Sequence, residues 1–178
     1  TSNTRVGVNA GNSIQSGGNY NVVVGDEAGT AITTGDFNVA IGYKALFLDT
    51  LGSKSVAIGE QALTTQNFTS ATDAYNVAVG RLAGEKVTTG QYNTLIGGLS
   101  GDAITTGASN TAVGFNALTA NTTAANNTAV GKDALGANTT GTDNVALGAG
   151  ALDTNTTASD NIAIGRLALQ AVTTSANN

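Results

Sequence analysis

Short apolar runs closing on Gly return along the whole chain, all but one opened by Asn, and polar, Thr-rich stretches separate most of them. The copies centre on Gly7, Gly25, Gly42, Gly59, Gly80, Gly97, Gly114, Gly131, Gly148 and Gly165, at steps of 18, 17, 17, 21, 17, 17, 17, 17 and 17 residues. The residue before each Gly is Val, Ile or Leu, from Val6 to Ile164, and two places earlier stands Val, Thr or Ile. Such period-two runs of β-branched residues, bounded by Asn and Gly, predict one short strand per copy. A fixed period of this size predicts a solenoid, in which each repeat buries its apolar face by stacking on its neighbours. The expected fold is all-β: a parallel β-roll of about ten rungs of 17 residues, forming a single repeat domain over residues 1–178. The first copy opens at Asn3, and Asn178 falls where an eleventh Asn belongs, so the chain reads as a fragment of a longer fibre.

The two branched columns of each strand are expected to face the core, and the column between them the outside. That middle column is Ala40, Ala57, Ala78, Ala112, Ala129, Ala146 and Ala163, with Arg5, Val23 and Leu95 as exceptions. Small apolar side chains on an outward sheet face point to a second surface packed against it. These seven Ala are therefore the expected contact between chains. The Asn column, Asn3 to Asn161, is interrupted only by Ser55. At a strand spacing of about 4.8 Å its amides are expected to form a structural ladder along the axis.

A compensation follows each corner Gly. Four residues on, the chain has either Leu (Leu46, Leu63, Leu118, Leu135, Leu152) or Gly (Gly11, Gly29, Gly84, Gly101). Where it is Gly, the position three further on is Ile14, Ile32, Val87 or Ile104; where it is Leu, that position is Asp49, Gln66, Asn121, Asn138 or Asn155. One apolar slot per rung is thus filled from either of two backbone positions, and only the last rung, with Leu169 and Val172, departs. Thr pairs follow in most rungs, Thr33 with Thr34 and Thr139 with Thr140 among them. One extra residue between Gly11 and Asn21 and four near Thr64 to Tyr75 are expected to bulge without breaking the stack.

Composition removes whole classes of chemistry. The chain has no Pro, Cys, Met, Trp or His, so thiolate and imidazole chemistry are absent, and net charge -5 argues against a nucleic-acid surface. No apolar window is long enough for a membrane span. Asp26 with Glu27 and Lys132 with Asp133 read as solvated neighbours rather than acid and base. No Walker lysine pattern or calcium nonapeptide occurs. No catalytic, cofactor or metal residue is assigned, and no reactive cluster departs from the repeat. Tyr20, Phe37, Tyr75 and Tyr92 all precede the Asn column in the first half of the chain. This aromatic stripe is the expected place for surface binding, with packing between chains as the competing reading.

The runs NVAIGYKAL, SVAIGEQAL and NTAVGFNAL resemble the head repeats of YadA-like trimeric autotransporter adhesins, whose motif runs approximately Asn-Ser-Val-Ala-Ile-Gly. Arrays rich in Asn-Thr-Thr also look like segments of bacteriophage tail fibres. The resemblance implies a left-handed β-roll packed side by side as a homotrimer, inner sheets toward a threefold axis. The expected function is then a non-catalytic structural and adhesive segment of a surface fibre, extracellular on a cell or virion, attaching to a host-surface glycan or protein. The alternative is a monomeric ice-binding solenoid using its Thr columns. Ice recognition wants two parallel outward Thr files, whereas adjacent Thr residues on a strand point to opposite faces.

Overall fold

The computed structural model describes residues 2–171; Val172 and Asn178 of the column pattern lie outside them. The described chain has strands and turns and no helix. Ten three-residue strands form one sheet: β1 (Thr4–Val6), β2 (Val22–Val24), β3 (Val39–Ile41), β5 (Val56–Ile58), β7 (Val77–Val79), β8 (Thr94–Ile96), β9 (Thr111–Val113), β10 (Thr128–Val130), β11 (Val145–Leu147) and β12 (Ile162–Ile164). Every neighbouring pair is parallel and in register by repeat position, Ala112 opposite Ala129 and Ala129 opposite Ala146. The architecture is a parallel β-solenoid. The insertion does not disturb it: β5 still pairs β7 in register, and the extra residues supply β6 (Thr72–Asp73), which pairs β4 (Gly52–Ser53) beside the main sheet.

The sidedness of the strand is the reverse of the expectation. Ala40, Ala57, Ala78, Ala112, Ala129, Ala146 and Ala163 are buried inside the roll, whereas the branched columns on either side point outward, half-buried in most rungs and exposed at Ile96, at Leu147 and in β1 and β12. The reason is the width of the interior. Ile32, Leu46, Leu63, Val87, Ile104, Leu118, Leu135 and Leu152 are fully buried and fill it from the opposite wall. Facing a Leu there is room only for a methyl group. Where the opposite wall has Gly, the space is taken from the strand side: a Cβ on Gly29 would lie 2.7 Å from Val23, and one on Gly84 or Gly101 2.7 Å from Leu95. The two-position compensation holds and acquires a third partner in the Ala column. A Cβ on Gly29 or Gly101 would also meet the Cδ1 of Ile32 or Ile104 at 2.8 Å, so these Gly and Ile residues share one slot.

Backbone strain marks the corners. Each corner Gly has φ between 121° and 139°, and through most of the stack its Cβ would strike the backbone of the next corner Gly, as at Gly114, 2.5 Å from the Gly131 oxygen. Leu46, Leu63, Leu118, Leu135 and Leu152 occupy the left-handed region, with φ of 50° to 54°. That costs roughly 1–2 kcal/mol each, which burial of the Leu side chain, about 1.5–3 kcal/mol, offsets.

The Asn column closes each rung rather than only linking amide to amide. Asn127 Nδ2 donates to the Gly141 carbonyl across its own rung at 2.8 Å, and Asn127 Oδ1 accepts from the Asn144 backbone N–H at 3.1 Å. Direct amide-to-amide bonds occur as well, as from Asn161 Nδ2 to Asn144 Oδ1 at 3.0 Å. From Asn121 to Asn155 a second buried Asn file meets the same corner carbonyls: Asn138 Nδ2 reaches Gly141 O at 2.9 Å and Asn155 Nδ2 reaches Ala158 O at 3.0 Å. Buried corner carbonyls need such partners, since an unpaired one costs about 1–3 kcal/mol.

Candidate functional site

With the Ala column inside, the outward face of the sheet consists of the two branched columns. Their twenty side chains, from Thr4 to Ile164, are Val, Ile, Leu or Thr, with no charge and no larger polar group. Beside them, one residue past the corner Gly, Val8, Tyr43 and Phe115 are exposed. On the other side runs the aromatic stripe. At about 4.8 Å per strand, ten rungs extend this apolar face over roughly 48 Å. Monomeric soluble proteins rarely expose contiguous apolar patches larger than a few hundred Å².

Tyr20, Phe37, Tyr75 and Tyr92 are all exposed, and the structure brings them together in pairs. The rings of Tyr20 and Phe37 stack at 5.0 Å with planes 11° apart, and those of Tyr75 and Tyr92 at 6.0 Å and 16°. Lys54 occupies the same column between the pairs. Its Nζ lies 5.1 Å from the Tyr75 ring centre, 3.1 Å from the Tyr75 hydroxyl and 2.6 Å from Asp73 Oδ2. The Asp73 carboxylate, then the Tyr75 hydroxyl, hold this ammonium charged up to about 12. The stripe is thus a five-member ladder from Tyr20 to Tyr92. Stacking along the axis turns ring faces toward one another and leaves mainly edges outward, a poor platform for a sugar ring and a good rim for an apolar interface.

The Thr columns divide. Thr33, Thr88, Thr105, Thr122 and Thr139 are half-buried and spend their hydroxyls on the carbonyl of the next rung, as from Thr139 to Thr156 O at 2.9 Å. Only the second file, including Thr89, Thr106, Thr123, Thr140 and Thr157, is exposed. The charged columns past the corner Gly lie along a solvent edge, with the inter-rung pairs Lys44 to Glu27 at 3.3 Å and Arg81 to Glu60 at 3.2 Å. Lys132 and Asp133 pair with each other at 2.5 Å. A hollow of about 460 Å³ bounded by Asn3, Arg5, Ile14, Gln15 and Ser16 is the uncovered interior of the first described rung.

One buried polar cluster departs from the repeat. Asp49, Ser55, Gln66 and Asn76 are fully buried and meet inside the roll beside the insertion. Gln66 Nε2 donates to Asp49 Oδ2 at 2.6 Å and to Ser55 Oγ at 3.0 Å, while Gln66 Oε1 accepts from Asn76 Nδ2 at 2.8 Å. Asp49 Oδ1 accepts from the backbone N–H groups of Gly52 at 3.0 Å and Phe68 at 3.2 Å. None of these partners carries a charge. Burial therefore pushes the Asp49 carboxyl above the ordinary carboxylate range, against the opposing pull of its hydrogen bonds, that of Gln66 first. The sequence signal was present: Ser55 is the one interruption of the Asn column, and Asp49 and Gln66 are the two residues of their column that are neither aliphatic nor Asn. What the sequence did not show is that the three converge.

By fold this is a β-solenoid repeat protein whose salient surface is one long apolar sheet face. No family model, curated protein or solved structure matches the chain. Among the described residues, no group of His, Cys, Asp and Glu is arranged to hold a metal ion.

Proposed function

We propose that the chain is a structural and adhesive segment of a homotrimeric surface fibre, the role that its resemblance to adhesin heads and phage tail fibres implies. The observation that carries this reading is the uncharged face formed by the branched columns. Three left-handed rolls standing side by side would cover those faces around a common axis, with Val39 and Ile41, Val56 and Ile58, and their equivalents in contact. The interface so proposed is the branched face, not the Ala column. The aromatic ladder would rim it on one side and the column of Phe115, which also carries Glu60, Arg81 and Lys132, on the other, leaving the Thr file outward, toward a host glycan or protein. The setting of such a fibre is extracellular, on a cell or virion.

The test is solution mass by light scattering behind size exclusion, on the chain and on Val113→Lys. A trimer that becomes a folded monomer on placing one charge on the branched face supports the reading. A monomeric unaltered chain at micromolar concentration overturns it. The ice-binding alternative draws on the exposed Thr file from Thr89 to Thr157, a single file where ice recognition favours two. Thermal hysteresis from a monomer would replace the fibre reading.

A further inference from the structure

Two columns change together at one place in the roll: Ser55 stands just before β5 where other rungs have Asn, and Asp49 and Gln66 stand in the column otherwise filled by Ile, Val or Asn. We propose that Ser55 and Gln66 form an autocatalytic intramolecular ester, Ser55 Oγ bonded to Gln66 Cδ, with release of ammonia. The inference is independent of the fibre reading.

Four roles are filled by four buried side chains. Ser55 Oγ, the nucleophile, lies 3.0 Å from the amide nitrogen that must leave. The Gln66 carbonyl oxygen, where negative charge would gather, already accepts from Asn76 Nδ2 at 2.8 Å, the position of an oxyanion donor. Asp49 Oδ2 lies 2.6 Å from the leaving nitrogen and is the general acid. Burial keeps a proton on this carboxyl to higher pH than usual, which suits that role. In the reaction Oγ adds to Cδ, and the charge on Oε1 is held by the Asn76 amide. The C–N bond then breaks as Asp49 protonates the nitrogen, and the proton of the Ser55 hydroxyl, passed to the departing nitrogen 3.0 Å away, returns from it to Asp49 at 2.6 Å, so that neutral ammonia leaves. One O–H and one C–N bond are exchanged for one C–O and one N–H bond, with no oxidation and no co-reactant. Amides resist such attack in water, but a hydroxyl fixed beside the amide adds intramolecularly, which removes the translational and rotational cost of bringing the two groups together. All four side chains are fully buried, so water that would hydrolyse the product is excluded.

The competing account is that Gln66 only fills the gap that Ser55 leaves in the Asn column. Mass spectrometry of the intact, folded chain separates the two. An ester makes the chain lighter by one ammonia. Glu60 lies between the bonded residues, so cleavage after glutamate yields fragments ending at Glu60 and Glu85 that stay joined until hydroxylamine releases them. Ser55→Ala should restore the full mass. Asp49→Asn places at this position the residue type of Asn121, Asn138 and Asn155; it removes the acid and turns an amide N–H toward one of the donors that Asp49 now accepts from, and the folded chain should form the bond about 100-fold more slowly. Unaltered mass with separate fragments after long incubation of the folded protein overturns the proposal. So does an ammonia loss that maps to any residue other than Gln66, or an Asp49→Asn chain that forms the bond as fast as the parent.

Discussion

The run from Asn110 to Asp160 and the junction from Asp49 to Asn76 solve the same problem differently. In the first, three successive 17-residue rungs repeat one solution: Leu fills the interior, Ala faces it, and two Asn files close the corner carbonyls. In the second, Ser55 breaks one file, and Gln66 bridges the gap from Asp49 to Asn76. A buried carboxyl is accepted there that no regular rung contains. Both Asp49 oxygens accept from N–H donors, so Asn in its place would remove the titratable group but turn an amide N–H against one of those donors. Regularity in this molecule reports on packing, and the departure marks where the buried hydrogen-bond file is rerouted through Gln66.

The largest expected effect breaks the regular region. Gly131→Ala would place a Cβ 2.6 Å from the backbone of Gly148 at φ 133°, and should cost more than about 3 kcal/mol in urea unfolding. Gly136→Ala is the control, since its nearest neighbour is the end of the Asp153 side chain at 3.2 Å; its midpoint should move little. Next, Ala129→Leu overpacks a rung whose interior Leu135 already fills, and should cost about 1–3 kcal/mol. Adding Leu135→Gly recreates the pairing of Leu95 with Gly101 and should recover much of that loss in a double-mutant cycle. Additive losses would contradict the shared slot.

The third prediction concerns the junction. Because the folded-state pKa of Asp49 is raised, the native chain keeps a proton that the unfolded chain has lost, between the ordinary carboxylate range and the folded value. The stabilising contribution is therefore complete at low pH and lost as pH rises through the folded pKa. Asp49→Asn should remove that decline, which denaturation across acidic to neutral pH would show as diverging profiles; parallel profiles would contradict it. The smallest expected effect is at the surface. Ser109→Gly relieves a left-handed residue at φ 58° and should stabilise by about 0.5–1 kcal/mol, read as a rise in Tm.

Much of this was legible in the residues. The spacing of the corner Gly residues located every strand of the main sheet, and the alternation of Leu and Gly after them located one wall of the core. The inward face of the strand was misread because Ala outside and branched residues inside form a period-two pattern as regular as its reverse. A signal for the right choice existed. Arg5, Val23 and Leu95, the large exceptions in the Ala column, all stand in rungs whose opposite wall is Gly11, Gly29 or Gly101. Residues that trade volume share one interior, so the Ala column had to face inward.

The sequence by itself determined the period, the strands, their register and the places where only Gly can turn the chain. These are local or strictly repeated properties, and stacking identical rungs leaves them one arrangement. Tertiary structure decided which strand face was enclosed, because that depends on the width left between two walls far apart in each repeat. It also decided that Asp49, Ser55, Gln66 and Asn76 meet, since the roll folds residues of three rungs to within hydrogen-bond distance across its interior.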